Sequence, residues 1–297
     1  MVVRTGLDLY TEVAARNSRT VLRQYSTSFG VASSLLPRLT RRDIAQVYAL
    51  VRIADEIVDG PAAASGLTVA AQCELLDALE RETYAAVSSG FSSNLVVHSF
   101  AQTARRAGIG RDLIEPFFAS MRADLTCVAH DTASIRAYIY GSAEVVGLMC
   151  VAVFLANSPT GVRTEAERAV IDEGARHLGA AFQKVNFLRD LAADVDGLGR
   201  NYFPGVDVEH LSESDKKVII DDIDNDVRIA RESIPLLPRP CQSAVLLATE
   251  LFAGLAARLR RAPAATLLTT RVRLSTPVKA AVAARVLVGA PARRWQR

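Results

Sequence analysis

The sequence predicts an all-α fold, and three observations point to it. Half of the 297 residues are hydrophobic but only 6% are aromatic, and Ala and Leu dominate over the β-branched and aromatic types that favour strands. Apolar residues recur at helical spacing through one segment after another. The breakers between those segments are short. A chain of this length can bury a substantial core, and residues 1–297 read as one continuous helical domain.

Taken in order, Ser26-Thr27-Ser28-Phe29-Gly30 and Leu36-Pro37-Arg38-Leu39-Thr40 read as a connector, with Thr40 as N-cap of the next helix. Gly60-Pro61 stops that helix, and Ala62 to Gly66 reads as a loop able to close over a ligand. Helices follow from Val69 to Ser88 and after Ser92, and Gly108 to Arg111 forms a turn before another. The helix from Ser134 carries small residues at Gly141, Ala143 and Gly147. These fit a bulky ligand approaching the backbone and close helix packing equally well. A break follows at Asp196 to Pro204, and Asp222-Ile-Asp224-Asn-Asp226 reads as a solvated acidic helix entry. Ala244 to Leu259 reads as a core helix, because Glu250 and Arg258 interrupt it short of a membrane span.

Two segments carry chemistry. In Tyr48-Ala-Leu-Val-Arg52-Ile-Ala-Asp55-Glu-Ile-Val-Asp59 the polar groups recur at steps of four, three and four. In Gln183-Lys-Val-Asn186-Phe-Leu-Arg189-Asp190-Leu-Ala-Ala-Asp194 the steps are three, four and four. On a helix each set shares one face. Either acid pair alone fits a solvated face. Two such ladders in apolar settings, each with an Arg beside its acids, imply a compensating positive partner, because ionised groups leaving water must be paired, hydrated or metal-bound. Opposed across a cavity, they suit Mg²⁺, or Mn²⁺ as the alternative, bridging carboxylates to a phosphate ester.

Composition excludes other classes. A net charge of +3 and no basic run interleaved with aromatics disfavour nucleic acid. Four dispersed cysteines, Cys73, Cys127, Cys150 and Cys241, and four scattered histidines lack zinc spacing. The Gly197-Leu-Gly199-Arg200 stretch lacks the third glycine and strand context of a dinucleotide fingerprint, and Asp222 to Ser233 lacks the Gly and Glu of a calcium loop. The N-terminus has no signal-peptide core, so a cytoplasmic location is expected. Basic groups from Arg271 to Lys279 and around Trp295 could contact an anionic bilayer, and they equally fit a solvated tail.

Together, Tyr25-Ser26-Thr-Ser28-Phe29, the two ladders, Tyr138-Ile-Tyr140-Gly141 and Gly199-Arg200-Asn-Tyr202-Phe-Pro204 resemble the phytoene/squalene synthase family over nearly the whole chain, in the family's order. The resemblance implies a single isoprenoid-synthase helical domain around a central cavity. It implies that Asp55, Asp59, Asp190 and Asp194 hold Mg²⁺ with help from Asn186 and Gln183, and that Arg52, Arg189 and Arg200 meet diphosphate oxygens. Ser26, Ser28 and Tyr202 are implied at the diphosphate, Tyr48 and Tyr138 at the reaction centre, and Phe29, Gly141 and Gly147 along the cavity.

The implied reaction is head-to-head condensation of two prenyl diphosphates through a cyclopropylcarbinyl diphosphate. Val185 and Ala193 stand where the family usually has Thr and Glu, and Leu251-Phe252 stands where a late tyrosine is common. No nicotinamide motif is present, so NADPH is not expected, and phytoene from two geranylgeranyl diphosphates is the favoured product. Squalene, dehydrosqualene or presqualene diphosphate from farnesyl diphosphate is the alternative. From another class, a non-catalytic scaffold of the same fold would be expected to lose its acids, whereas all four are present.

Overall fold

The computed structural model describes residues 5–127, 129–158, 163–193 and 201–289, and the described residues are helical with no strand beyond one isolated bridge, Ala129 to Asn201. Fourteen α-helices follow in order among them: α1 Gly6–Tyr25, α2 Thr27–Ser33, α3 Arg38–Val58, α4 Pro61–Ala64, α5 Val69–Ser89, α6 Leu95–Ala107, α7 Arg111–Thr126, α8 Thr132–Ile139, α9 Val145–Ala156, α10 Glu165–Ala193, α11 Glu213–Ser233, α12 Arg239–Arg261, α13 Ala264–Leu267 and α14 Thr276–Gly289. A single π turn, Tyr140–Glu144, joins α8 to α9.

Most boundaries follow from local chemistry. Thr68, Asn94 and Ser212 cap α5, α6 and α11 by accepting first-turn amides, and Asp131 and Ser134 close a capping box on α8. Gly90 and Gly108 end α5 and α6 in the left-handed conformation. Four expectations are corrected. The stretch expected as a connector contains α2, because Ser26 ends α1 and at the same time accepts the Phe29 amide to begin a new helix. Pro37, not Thr40, opens α3, and Thr40 is buried in its first turn. The expected loop after Pro61 contains a one-turn helix. Asp222 and Asp226 lie inside α11, where both pair with Lys184 of α10 and Asp226 also meets His177 at 2.7 Å. The pattern read as solvated therefore clamps two helices.

Two packed cores flank the cavity. One joins α3, α5, α6, α7 and α9 around Phe100, Phe117, Phe118 and Met149, and the other joins α8, α10, α11 and α12 around Leu188, Ile220 and Leu259. A smaller cluster ties α2 and α14 to α12 through Ala32, Leu251 and Val286. Two stretches, Thr132–Ala156 and Arg239–Arg261, are long and apolar enough to cross a bilayer. Both pack in the bundle with one side and line the cavity with another, which accounts for apolar residues around most of their circumference.

Candidate active site

The cavity between the cores has a volume of about 980 Å³. Its wall includes Ser26, Ser28, Phe29, Tyr48, Arg52, Asp55, Asp59, Tyr138, Gly147, Gln183, Asn186, Arg189, Asp190 and Tyr202. Fourteen of the site residues expected from the sequence thus meet in one place. Asp194 and Arg200 lie outside the described residues.

Gly141 is a correction. It does not line the cavity. A β-carbon there would overlap the carbonyl of Pro116 and the hydroxyl of Ser120 on α7, so close helix packing explains this glycine. Gly147 does both: it lines the cavity, and an added β-carbon would lie 2.5 Å from the Ala175 carbonyl oxygen.

On α3, Arg52 reaches Asp55 at 2.6 Å and also pairs with Glu56, while its guanidinium stacks 4.5 Å above the Tyr25 ring. Arg52 Nε is buried without a hydrogen-bond partner among the described residues, a donor set to meet acceptor oxygens of a ligand. Burial, followed by the negative charge of Asp59, pushes the Asp55 carboxyl up to about 7, against the pull of Arg52. Tyr48 stacks on Phe29 with ring centroids 5.7 Å apart, and burial raises its phenol above the usual range.

On α10, Arg189 donates to the neighbouring Asp190 at 2.9 Å, and Arg271 meets the same carboxylate at 2.6 Å. Arg273 and Lys279 line the same wall, with Lys279 donating to Thr27 Oγ1 at 3.0 Å. Much of the remaining lining is apolar: Ile44, Phe117, Met121, Val151, Phe154, Ile171, and the stacked pair Phe182 and Phe252 at 3.7 Å. Phe252 belongs to the late helix where a tyrosine was noted as missing.

Sequence reasoning missed Asp124 of α7, which is buried, lines the cavity and adds to the negative charge felt by Asp55. Its signal was an acid continuing the apolar stripe Phe117, Met121 at helical spacing. Arg271 was noted only as part of a basic tail.

The donors fit a hard divalent cation. Carboxylates of Asp55, Asp59 and Asp190 with the amide oxygens of Asn186 and Gln183 are the oxygen ligands such ions take, and Asp59 and Asp124 add negative charge beside the buried Asp55 carboxyl. Among the described residues, no three His, Cys, Asp or Glu side chains converge on one point. Asp55 with Asp59, and Asp190, instead face the cavity from separate helices.

The squalene/phytoene synthase family model matches residues 22–277, a span that contains both ladders, Arg271 and Arg273. The chain belongs to the squalene/phytoene synthase family. Within that family it is 31% identical over 211 residues to 15-cis-phytoene synthase from Synechocystis sp., covering 70% of this chain and 60% of the relative. It is 32% identical over 193 residues to 15-cis-phytoene synthase from Paracoccus sp., covering 63% and 59%. The chain therefore spans about three fifths of the length of these two relatives. Its fold matches a crystal structure of a dehydrosqualene synthase in complex with ligand at a TM-score of 0.77, with 19% identity over 94% of this chain and 97% of the other. The isoprenoid-synthase helical fold expected from the sequence is the fold found.

Proposed function

We propose that this protein condenses two prenyl diphosphates head to head, forming a cyclopropylcarbinyl diphosphate and then a hydrocarbon, with release of both pyrophosphates. One observation carries this reading: a single cavity is lined both by acidic and guanidinium groups and by a large set of apolar side chains. A diphosphate with a long hydrocarbon tail has that polarity.

Arg52, Arg189 and Arg271 would take up negative charge as diphosphate departs, and preorganised cations are worth most where water is excluded. A divalent cation, Mg²⁺ or Mn²⁺, held by Asp55, Asp59, Asp190 and Asp194 with Asn186 and Gln183, would add charge to the leaving group. Phe29, Tyr48 and Tyr138 would offer their ring faces to carbocations, and the apolar wall would keep water from quenching them.

The names of the Synechocystis and Paracoccus relatives support phytoene as product, and a C40 hydrocarbon made from two equal halves calls for geranylgeranyl diphosphate as substrate. The exposed apolar residues Val278, Leu287 and Val288 of α14, beside Lys279 and Arg285, support a peripheral bilayer contact through which a hydrocarbon could leave. The test is incubation of purified protein with farnesyl or geranylgeranyl diphosphate and Mg²⁺, with and without NADPH, and identification of the hydrocarbon by mass. A C40 product that needs no NADPH is expected. A C30 product would shift the assignment to farnesyl diphosphate, and no pyrophosphate release from either would defeat the enzyme reading.

A further inference from the structure

Two guanidinium groups enclose Asp190. Arg189 donates from Nε to Oδ1 at 2.9 Å and from Nη2 to Oδ2, while Arg271 places Nε 2.6 Å from Oδ1 and donates from Nη2 to Oδ2 at 3.2 Å. A carboxylate offers about four lone-pair sites. Four guanidinium nitrogens already meet its two oxygens here, so a cation that takes an oxygen of Asp190 has to displace one of them.

The two arginines are not held alike. Arg189 is the next residue on α10 and its side chain is 21% exposed, whereas Arg271 comes from residues 270–275, which carry no helix, and its side chain is 49% exposed. Arg271 is the one freer to leave. Its backbone is anchored on the C-terminal side, because Val272 is buried in the second core and Lys279 donates to Thr27 Oγ1 at 3.0 Å. The motion is therefore a swing of one side chain. Arg271 and Asp190 both line the cavity, so a guanidinium released from the carboxylate stays within the wall that a diphosphate would meet.

We propose that Arg271 exchanges partners: paired with Asp190 in the metal-free protein, it yields the carboxylate to a divalent cation and turns to the diphosphate, so that metal and diphosphate binding are coupled through one side chain. The inference rests on the prenyl-diphosphate reading. Either ligand alone is penalised. A cation on Asp190 strips Arg271 of its anion, and a diphosphate that draws Arg271 away leaves Asp190 with fewer partners beside a second anion. Bound together, the two ligands match every charge, and each strengthens the other by the same factor.

The test measures binding to the full chain without turnover, by calorimetry with Mg²⁺ and with geranylgeranyl S-thiolodiphosphate, an analogue carrying sulfur in place of the ester oxygen. Wild type, Arg271→Ala, Arg273→Ala and Asp190→Asn are compared. Arg273 lines the same cavity and makes no ion pair with Asp190 among the described residues, so its variant removes the same charge without touching the exchange. Mg²⁺ alone should bind Arg271→Ala about fivefold more tightly than wild type, and the gain in analogue affinity that Mg²⁺ confers should fall about tenfold. Arg273→Ala should keep Mg²⁺ affinity within about twofold of wild type, as a screened charge allows, and Asp190→Asn should weaken it about tenfold. Complexes of metal with analogue in solution are the same for every protein and cancel in the comparison.

Unchanged or weaker Mg²⁺ binding by Arg271→Ala, an equal gain in Arg273→Ala, or coupling as strong as in wild type would overturn the inference. Mg²⁺ affinity unaffected by Asp190→Asn would overturn it as well. If Arg271→Ala fails to fold, Arg271→Gln decides by the same measurements. Turnover of wild-type protein run in parallel separates the two claims. No pyrophosphate release from it defeats the functional reading, whereas normal turnover beside unaltered Mg²⁺ binding in the Arg271 variant defeats only the exchange.

Discussion

The acidic faces of α3 and α10 have nearly the same spacing in sequence and unlike surroundings in space. On α3, one guanidinium is divided between Asp55 and Glu56, and Asp59 and Asp124 add further negative charge. On α10, Asp190 is bracketed by two guanidinium groups, Arg189 and Arg271, with Arg273 and Lys279 on the same wall. Among the described residues, the acids named on the α3 side outnumber the guanidinium that meets them, which suits a cation. On the α10 side Asp190 can still offer oxygen to a cation, while Arg189 and Arg271 beside it can meet phosphate oxygens. Two similar sequence patterns thus divide one task, and the difference comes from residues distant in sequence.

The largest expected effect removes that division. Asp55→Asn or Asp190→Asn should each lower turnover by about 10³-fold while helicity by circular dichroism stays near wild type. Activity retained in either variant would argue against the divided-charge account. Next in size, Arg271→Ala should raise KM for the prenyl diphosphate by about tenfold, as expected for losing one charged hydrogen-bonding group, with a smaller change in kcat. An unchanged KM would confine Arg271 to pairing with Asp190.

Stability should separate the two faces by sign. In metal-free protein, Asp55→Asn relieves a crowded carboxylate and should raise stability, whereas Asp190→Asn leaves two guanidinium groups without their partner and should lower it, each by about 1 kcal/mol. Denaturant midpoints would show this, and shifts of the same sign would erase the distinction.

A further expected effect is on pH dependence. The Asp55 carboxyl titrates near 3.8 unperturbed and at about 7 in the fold, so between these values the native state binds more protons than the unfolded chain. Stability of the metal-free protein from this group therefore falls as pH rises from about 4 to 7. Thermal melts should show that loss, and Mg²⁺ should offset it more at pH 8 than at pH 5. A melting temperature that rises through this window without metal would contradict the assignment.

The helical class was legible because composition and apolar spacing act locally, and the two ladders were legible because helix geometry converts spacing into a shared face. Asp124 continues the stripe Phe117, Met121 at helical spacing, but its place at the cavity, like those of Arg271 and Lys279, follows only from tertiary packing. The helix at Thr27–Ser33 was hidden by Ser, Thr and Gly, which favour caps and turns in isolation; here Ser26 uses its capping chemistry to begin a helix. Gly141 had two readings, and only the position of Pro116 on another helix separates them. Asp226 read as solvated because its partners, His177 and Lys184, lie on α10.

The central claim is that both faces serve the departure of two diphosphates in forming one hydrocarbon. Its most direct test is the stoichiometry of pyrophosphate to hydrocarbon when the purified protein consumes geranylgeranyl diphosphate with Mg²⁺. The account predicts two pyrophosphates per C40 hydrocarbon, and neither product from Asp55→Asn. Pyrophosphate released with only the C20 alcohol, or no release at all, would contradict it.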